Sequence, residues 1–291
     1  MTHTEPKGMS WGLERRLQFI DFRLRWEGRI NRTDLTEYFG LSTPQASLDI
    51  AKYSELAPKN LLYDRRSKTY ISTQDFRPLY TRSSAKRFLA ELLTTKMGVM
   101  EASSSFIGTA PEMDLAPSPW RTIDEQTVEA MAKAIRGKQA IEVRYQSMSS
   151  SEPSERWLSP HALGYDGFRW HVRAYCHKRQ RFGDFVLARI LHIGDARPSD
   201  IKSCTDEQWH TVVTLKLVPN PLLPEANRKV IELDYGMENG QVDLDCRQAF
   251  LFYTLRRLGL HSQDPLDPQA QQIVLKNRFE IQPYIDAAIT G

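Results

Sequence analysis

The sequence predicts an α+β protein of several domains, and three observations carry that prediction. Its 291 residues are 41% apolar and 26% charged, enough to bury two or three separate cores. The pattern changes along the chain, from short capped helices and a hairpin, through short alternating strands, to strands mixed with helices. A Ser- and Pro-rich stretch, 103–119, separates the first of these regions from the second. The expected organisation is a helical domain with a wing-like hairpin over 1–94, a linker over 95–120, a small curved β-unit or barrel over 121–202 and a compact α/β domain over 203–291.

The spacing of Leu13, Leu17, Ile20 and Leu24 predicts a helix over 11–26, which Gly28 ends. Polar starters from Asn31 and a glycine at Gly40 mark a second, shorter helix. Ser42-Thr43-Pro44-Gln45 has the form of a capping box, with Ser42 as cap, Gln45 reaching back and Pro44 tolerated in the first turn. The helix so opened runs to about Tyr53, with Ala46, Ile50 and Tyr53 inward and Thr43, Gln45, Ser47, Asp49 and Lys52 outward. Leu61 to Ile71 then reads as a hairpin whose tip carries Arg65, Arg66 and Lys68.

Two short helices joined by a glycine turn and followed by a hairpin make a winged helix-turn-helix, whose second helix enters the major groove. In that role Thr43 and Ser47 suit phosphates or base edges, Gln45 suits an adenine edge, and Lys52 suits phosphate. Arg65, Arg66 and Lys68 would meet the backbone from the wing. The charge agrees: residues 1–94 hold 16 Lys/Arg against 11 Asp/Glu, and the rest of the chain holds 23 against 25. The alternative is a small helical bundle with a solvated charged face. Cap, basic wing and local charge excess together favour double-stranded DNA.

Helical patterns follow at 81–100 and 123–136, the second ending at Gly137. Strand-like runs at 141–145, 168–175 and 182–193 come next, and period two puts His171, Arg173 and Tyr175 on one face. With Tyr145, Ser147, Arg156, His161 and Arg189 nearby in the sequence, that face mixes cations, imidazoles and aromatics. Such a face suits an anion with flat rings, because arginine forks hold phosphate and aromatics stack bases. Against this stands the ordinary solvated side of a half-buried sheet. The last region reads as a strand at 211–217, a short helix at 225–230, strands at 230–235 and 241–245 around a turn at 236–240, and a helix at 248–258.

Other classes find less support. No apolar run is long enough to span a membrane, and the start of the chain, Met1 to Pro6, lacks a signal-peptide pattern. Cys176, Cys204 and Cys246 form no CxxC pair, as expected of a cytoplasmic protein without disulfides or a thiolate zinc site. His161, His171 and Cys176-His177 lack zinc spacing. Glu232/Asp234 and Asp243/Asp245 alternate along expected strands, where carboxylates are usually solvated. No cofactor and no nuclease-type catalytic set is expected.

Three groups of residues then resemble a known family, the bacterial WYL-domain transcriptional regulators. The run Trp170-His171-Val172-Arg173-Ala174-Tyr175 stands where the family has its hallmark tripeptide followed by Ala-Tyr, with His for Tyr and Val for Leu. Tyr145-Gln146-Ser147, the segments 156–161 and 184–190, the helix-turn-helix segment 40–49, and the C-terminal stretches 231–237 and 253–260 are similar in style. The resemblance covers nearly the whole chain and is greatest to repressors of anti-phage defence operons. It implies a winged helix-turn-helix, a central Sm-like β-barrel and a C-terminal dimerisation domain. It further implies a homodimer on an inverted-repeat operator and a nucleotide or oligonucleotide effector at the central domain. An Sm-like RNA-binding protein is the competing reading.

Overall fold

A computed structural model describes residues 9–117, 119, 122–262 and 267–290, without the side chains of Arg82 and 288–290. The reading of Met1 to Pro6, Ser118 and Trp120 of the expected linker, and Arg121 at the start of the expected β-unit lie outside the described residues. The chain forms two compact units, Met1–Ser118 and Pro119–Gly291.

The first unit opens with α1 (Trp11–Glu27), β1 (Arg29–Ile30), α2 (Arg32–Phe39) and α3 (Thr43–Leu56). The hairpin β2 (Leu61–Asp64) and β3 (Thr69–Ser72) follows, then α4 (Ala85–Lys96), which a single 3-10 turn at Thr81–Ser83 precedes. β3 lies between β1 and β2 in a three-stranded antiparallel sheet. Leu17, Phe19, Ile20 and Leu24 of α1 meet Leu35, Ala46, Ile50 and Tyr53 in one core. Part of the stretch read as a linker belongs to this core. Phe106 is buried against Phe19 and Phe22, and Glu91 accepts hydrogen bonds from the Ser105 hydroxyl and the Phe106 amide.

The second unit begins with α5 (Glu125–Gly137) and the strands β4 (Gln139–Tyr145), β5 (Ser154–Tyr165), β6 (Trp170–Cys176), β7 (Arg181–Val186) and β8 (Ile190–Pro198). Their order is β7-β6-β5-β4-β8, all antiparallel, with bulges in β5 and β8. The expected closed barrel is not formed: among the described residues no ladder joins β7 to β8, so the sheet has two edges. The run 182–193 is not one strand either. A 3-10 turn at Leu187–Arg189 breaks it and lets β8 leave β7 and pair with β4.

The chain continues through α6 (Glu207–His210), β9 (Val212–Pro219), α7 (Glu225–Asp234), β10 (Val242–Arg247), α8 (Leu251–Arg257), β11 (Ile273–Leu275) and α9 (Arg278–Thr290). β9 lies between β10 and β11. The strand expected over 230–235 is instead the second half of α7. Nothing there breaks a helix once Pro224 and Glu225 have started it, and the first reversal comes at Gly236, whose φ is +59°. Ile231 is its buried residue, beside Leu215 and Leu217 of β9.

Candidate DNA interface and an arginine-lined pocket

The turn before α3 is built from local chemistry. Asn31 and Asp34 cap each other at the start of α2, at 2.9 and 2.7 Å, and Gly40 closes that helix at φ +66°. The Ser42 hydroxyl accepts from the Gln45 amide at 3.4 Å. The Gln45 side chain does not complete the expected box. Its Nε2 donates to Asp49 Oδ1 at 2.9 Å, one helical turn on. Asp49, read as outward, is buried, because Arg16 of α1 grips it with two hydrogen bonds of 2.6 and 3.1 Å. Further along, the Tyr53 hydroxyl donates to Asp21 Oδ1 at 2.5 Å and accepts from Asn60 at 2.9 Å. Burial and the Asp21 carboxylate push the Tyr53 phenol far above its ordinary range. Asp21 also accepts from the amides of Leu79 and Tyr80, and the Asp49 and Tyr53 bonds hold α3 to α1 at its middle and in its last turns.

This anchoring turns a defined stripe of α3 outward: Pro44, Leu48, Ala51, Lys52 and Glu55. Thr43 is exposed at its start, and Ser47 donates to the Thr43 carbonyl at 3.0 Å. Lys52 pairs with Glu55 at 2.9 Å. Leu48, 64% exposed, was not singled out in the sequence, although an apolar residue four after Pro44 and four before Lys52 must share their face. At the wing, Asp64 accepts from the Arg66 amide and the Ser67 hydroxyl, which hold its carboxyl below the ordinary range. That turn leaves Arg65, Arg66 and Lys68 exposed, and Thr69 ties the wing to the Ile30 carbonyl at 3.0 Å.

In the second unit a cavity of about 340 Å3 gathers Tyr145, Ser147, Arg156, Arg173 and Arg189, five of the seven residues singled out for ligand binding. Arg156 is buried with its guanidinium 5.2 Å from the Tyr145 ring and 5.9 Å from the Phe185 ring. Arg173 is buried too, and its charge is already matched. It forks onto Asp206 with two bonds of 2.8 Å, and reaches Gln208 at 3.0 Å and Asp184 at 3.3 Å. Burial raises the Asp206 carboxyl, but the bonds from Arg173 and His161 outweigh it and leave it well below its ordinary range. Asp184 goes the other way, raised by burial more than Arg173 lowers it.

His161 and His171 do not line the cavity. His161 bonds to Asp206 at 2.8 Å, and buried His171 bonds to Asp166 at 2.9 Å. Sequence reading missed two contributions. Arg179 and Arg181 enter from the β6–β7 turn, where the basic run 177–181 was a usable signal. Gln248, Phe252 and Tyr253 enter from the α8 region, which no local signal connects to the sheet. Among the described residues, no side-chain hydrogen bond or ion pair engages Arg179, Arg181 or Arg189. Cations beside aromatic rings can take a phosphate through arginine forks and hold a flat ring. Among the described residues no group of His, Cys, Asp and Glu could hold a metal ion, and no helix is long and apolar enough to cross a membrane.

Comparison with known families and proteins gives consistent matches. Residues 12–94 match the BrxR transcriptional regulator winged helix-turn-helix domain, 126–194 the WYL domain, and 212–281 the BrxR transcriptional regulator C-terminal dimerization domain. The chain is 47% identical over 279 residues to the DNA-binding transcriptional repressor CapW of Stenotrophomonas maltophilia, covering 94% of this chain and 93% of that protein. It is 45% identical to CapW of Escherichia coli, over 94% and 92% of the two chains. To CapW of Pseudomonas aeruginosa it is 45% identical, over 96% and 94%.

Proposed function

The chain belongs to the family of CapW DNA-binding transcriptional repressors, and from that premise we propose that it is a homodimeric repressor of an inverted-repeat operator. α3 reads the major groove through Thr43, Gln45, Leu48 and Lys52, with Ser47 at a phosphate, and Arg65, Arg66 and Lys68 of the wing hold the backbone. The observation that carries this reading is the outward stripe of α3, fixed by the buried Arg16–Asp49 and Tyr53–Asp21 bonds beside a basic wing. A helix anchored in this way meets DNA at a smaller ordering cost than a free one. The resemblance to regulators of anti-phage defence supports such an operon as the cytoplasmic target.

Relief of repression is assigned to a nucleotide or oligonucleotide in the arginine-lined cavity. Arg179, Arg181 and Arg189 are its phosphate contacts, Tyr145, Arg156 and Phe252 its ring contacts, and Ser147 completes the anion's shell. Arg173 shapes the wall through Asp206. An effector shifts DNA binding only if it favours one of two states, and the cavity's α8 wall offers a route from the sheet to the dimerisation domain. The test is a gel-shift titration on the protein's own promoter, with and without candidate oligonucleotides. The reading requires a shift of duplex DNA without cleavage in magnesium, and weaker binding with effector. Preference for single-stranded RNA over the promoter duplex would overturn it.

A further inference from the structure

The last helix of the chain presents an apolar side chain that its own fold leaves bare. Phe279, in the first turn of α9, is 97% exposed. It stands at the wall of a groove of about 710 Å3 that Leu222, Leu260, Val274 and Leu275 also line, and Leu222 is itself 71% exposed. Polar and charged groups, among them Asn220, Gln271, Lys276, Arg278 and Gln282, share the lining. A scattered exposed leucine is ordinary, but a bare phenylalanine beside an unfilled apolar groove marks a docking surface. An apolar centre with polar neighbours is also how protein interfaces are built.

We propose that this face is where two copies of the chain meet, with Phe279 of one copy seated in the Leu222–Leu275 groove of the other. In a two-fold interface the same patch serves both partners, so it must contain both the knob and its hole. This patch does. It also lies within 212–281, the part that matches a dimerization domain, so it continues an interface expected there. The outer face of α7 offers the rival surface. Leu233 there is 81% exposed, but Glu232 and Asp234 flank it along the chain, and paired copies would bring those carboxylates together.

The proposal rests on the homodimer reading, and its test separates the two. Sedimentation of the full-length protein over nanomolar to micromolar concentration is measured for the parent, Phe279→Asp, Leu222→Asp and Leu233→Asp. All three positions are exposed, so circular dichroism of the variants should match the parent. The parent should be a dimer, Phe279→Asp and Leu222→Asp should each raise the dimer dissociation constant at least about a hundred-fold, and Leu233→Asp should leave it unchanged. A dimeric Phe279→Asp, or a monomeric Leu233→Asp, would overturn this interface while leaving the homodimer intact. A monomeric parent would overturn the homodimer with it.

Discussion

Single residues separate the groups that hold the fold from those that face a partner. Arg173 and Asp206 belong to the first kind, two buried charges that satisfy each other through a fork and share His161, Asp184 and Gln208. Replacing Asp206 with Ala removes the Arg173 fork and leaves that charge only Asp184 and Gln208, so it should cost up to about 3 kcal/mol in urea unfolding of the second unit. The pH dependence follows from the same pair. A carboxyl lowered in the folded state contributes stability above its unfolded pKa and loses it as pH falls, so the parent should weaken below about pH 4. Asp184, raised by burial, opposes that trend, and an Asp206→Asn variant should show a shallower acid limb. Leu48 is of the second kind, and Gln45 shares in both, because its side chain also donates to buried Asp49. Leu48→Ala should lose about 1–3 kcal/mol of discrimination at one thymine position, and Gln45→Ala a similar amount at an adenine, both read by competition against single-base operator changes. Uniform weakening on all sequences would place both outside the groove.

At the scale of elements, what could be read in the sequence was local chemistry. The start of α3 follows from Gly40, Ser42 and Pro44, and the wing turn from Asp64 to Lys68, all within a few residues of the feature they create. The 230–235 segment misled because five alternating residues fit a strand as well as half a helix, and only Pro224 and Glu225 upstream decide. β11 and α9 were not read at all, because a three-residue strand and a helix containing Pro283 give little periodic signal. Five cavity residues could be named, since β-strand alternation and composition are visible, but the α8 wall is a long-range contact and His171 is taken by Asp166. The wing makes its own prediction. Arg65→Ala or Arg66→Ala should weaken every duplex alike and reduce the salt slope by roughly one charge, measured by anisotropy over a salt series. A changed base preference with an unchanged slope would make the wing a reader instead.

The whole molecule carries a winged helix-turn-helix, a WYL domain with an arginine-lined cavity and a C-terminal dimerization domain in one chain. Arg189→Ala should fold and bind operator like the parent yet fail to release a promoter–reporter on the inducing signal, because it removes a proposed phosphate contact whose side chain makes no hydrogen bond or ion pair among the described residues. A normal response would return Arg189 to the structure. The central claim is that two protomers recognise one inverted repeat by sequence. It is tested most directly by anisotropy titration of the protein on its own promoter duplex and on a scrambled duplex, with the bound stoichiometry determined. The account predicts two chains per repeat and a preference for the promoter of at least about a thousand-fold at physiological salt. Equal affinity for the two duplexes, or one chain per repeat, would contradict it.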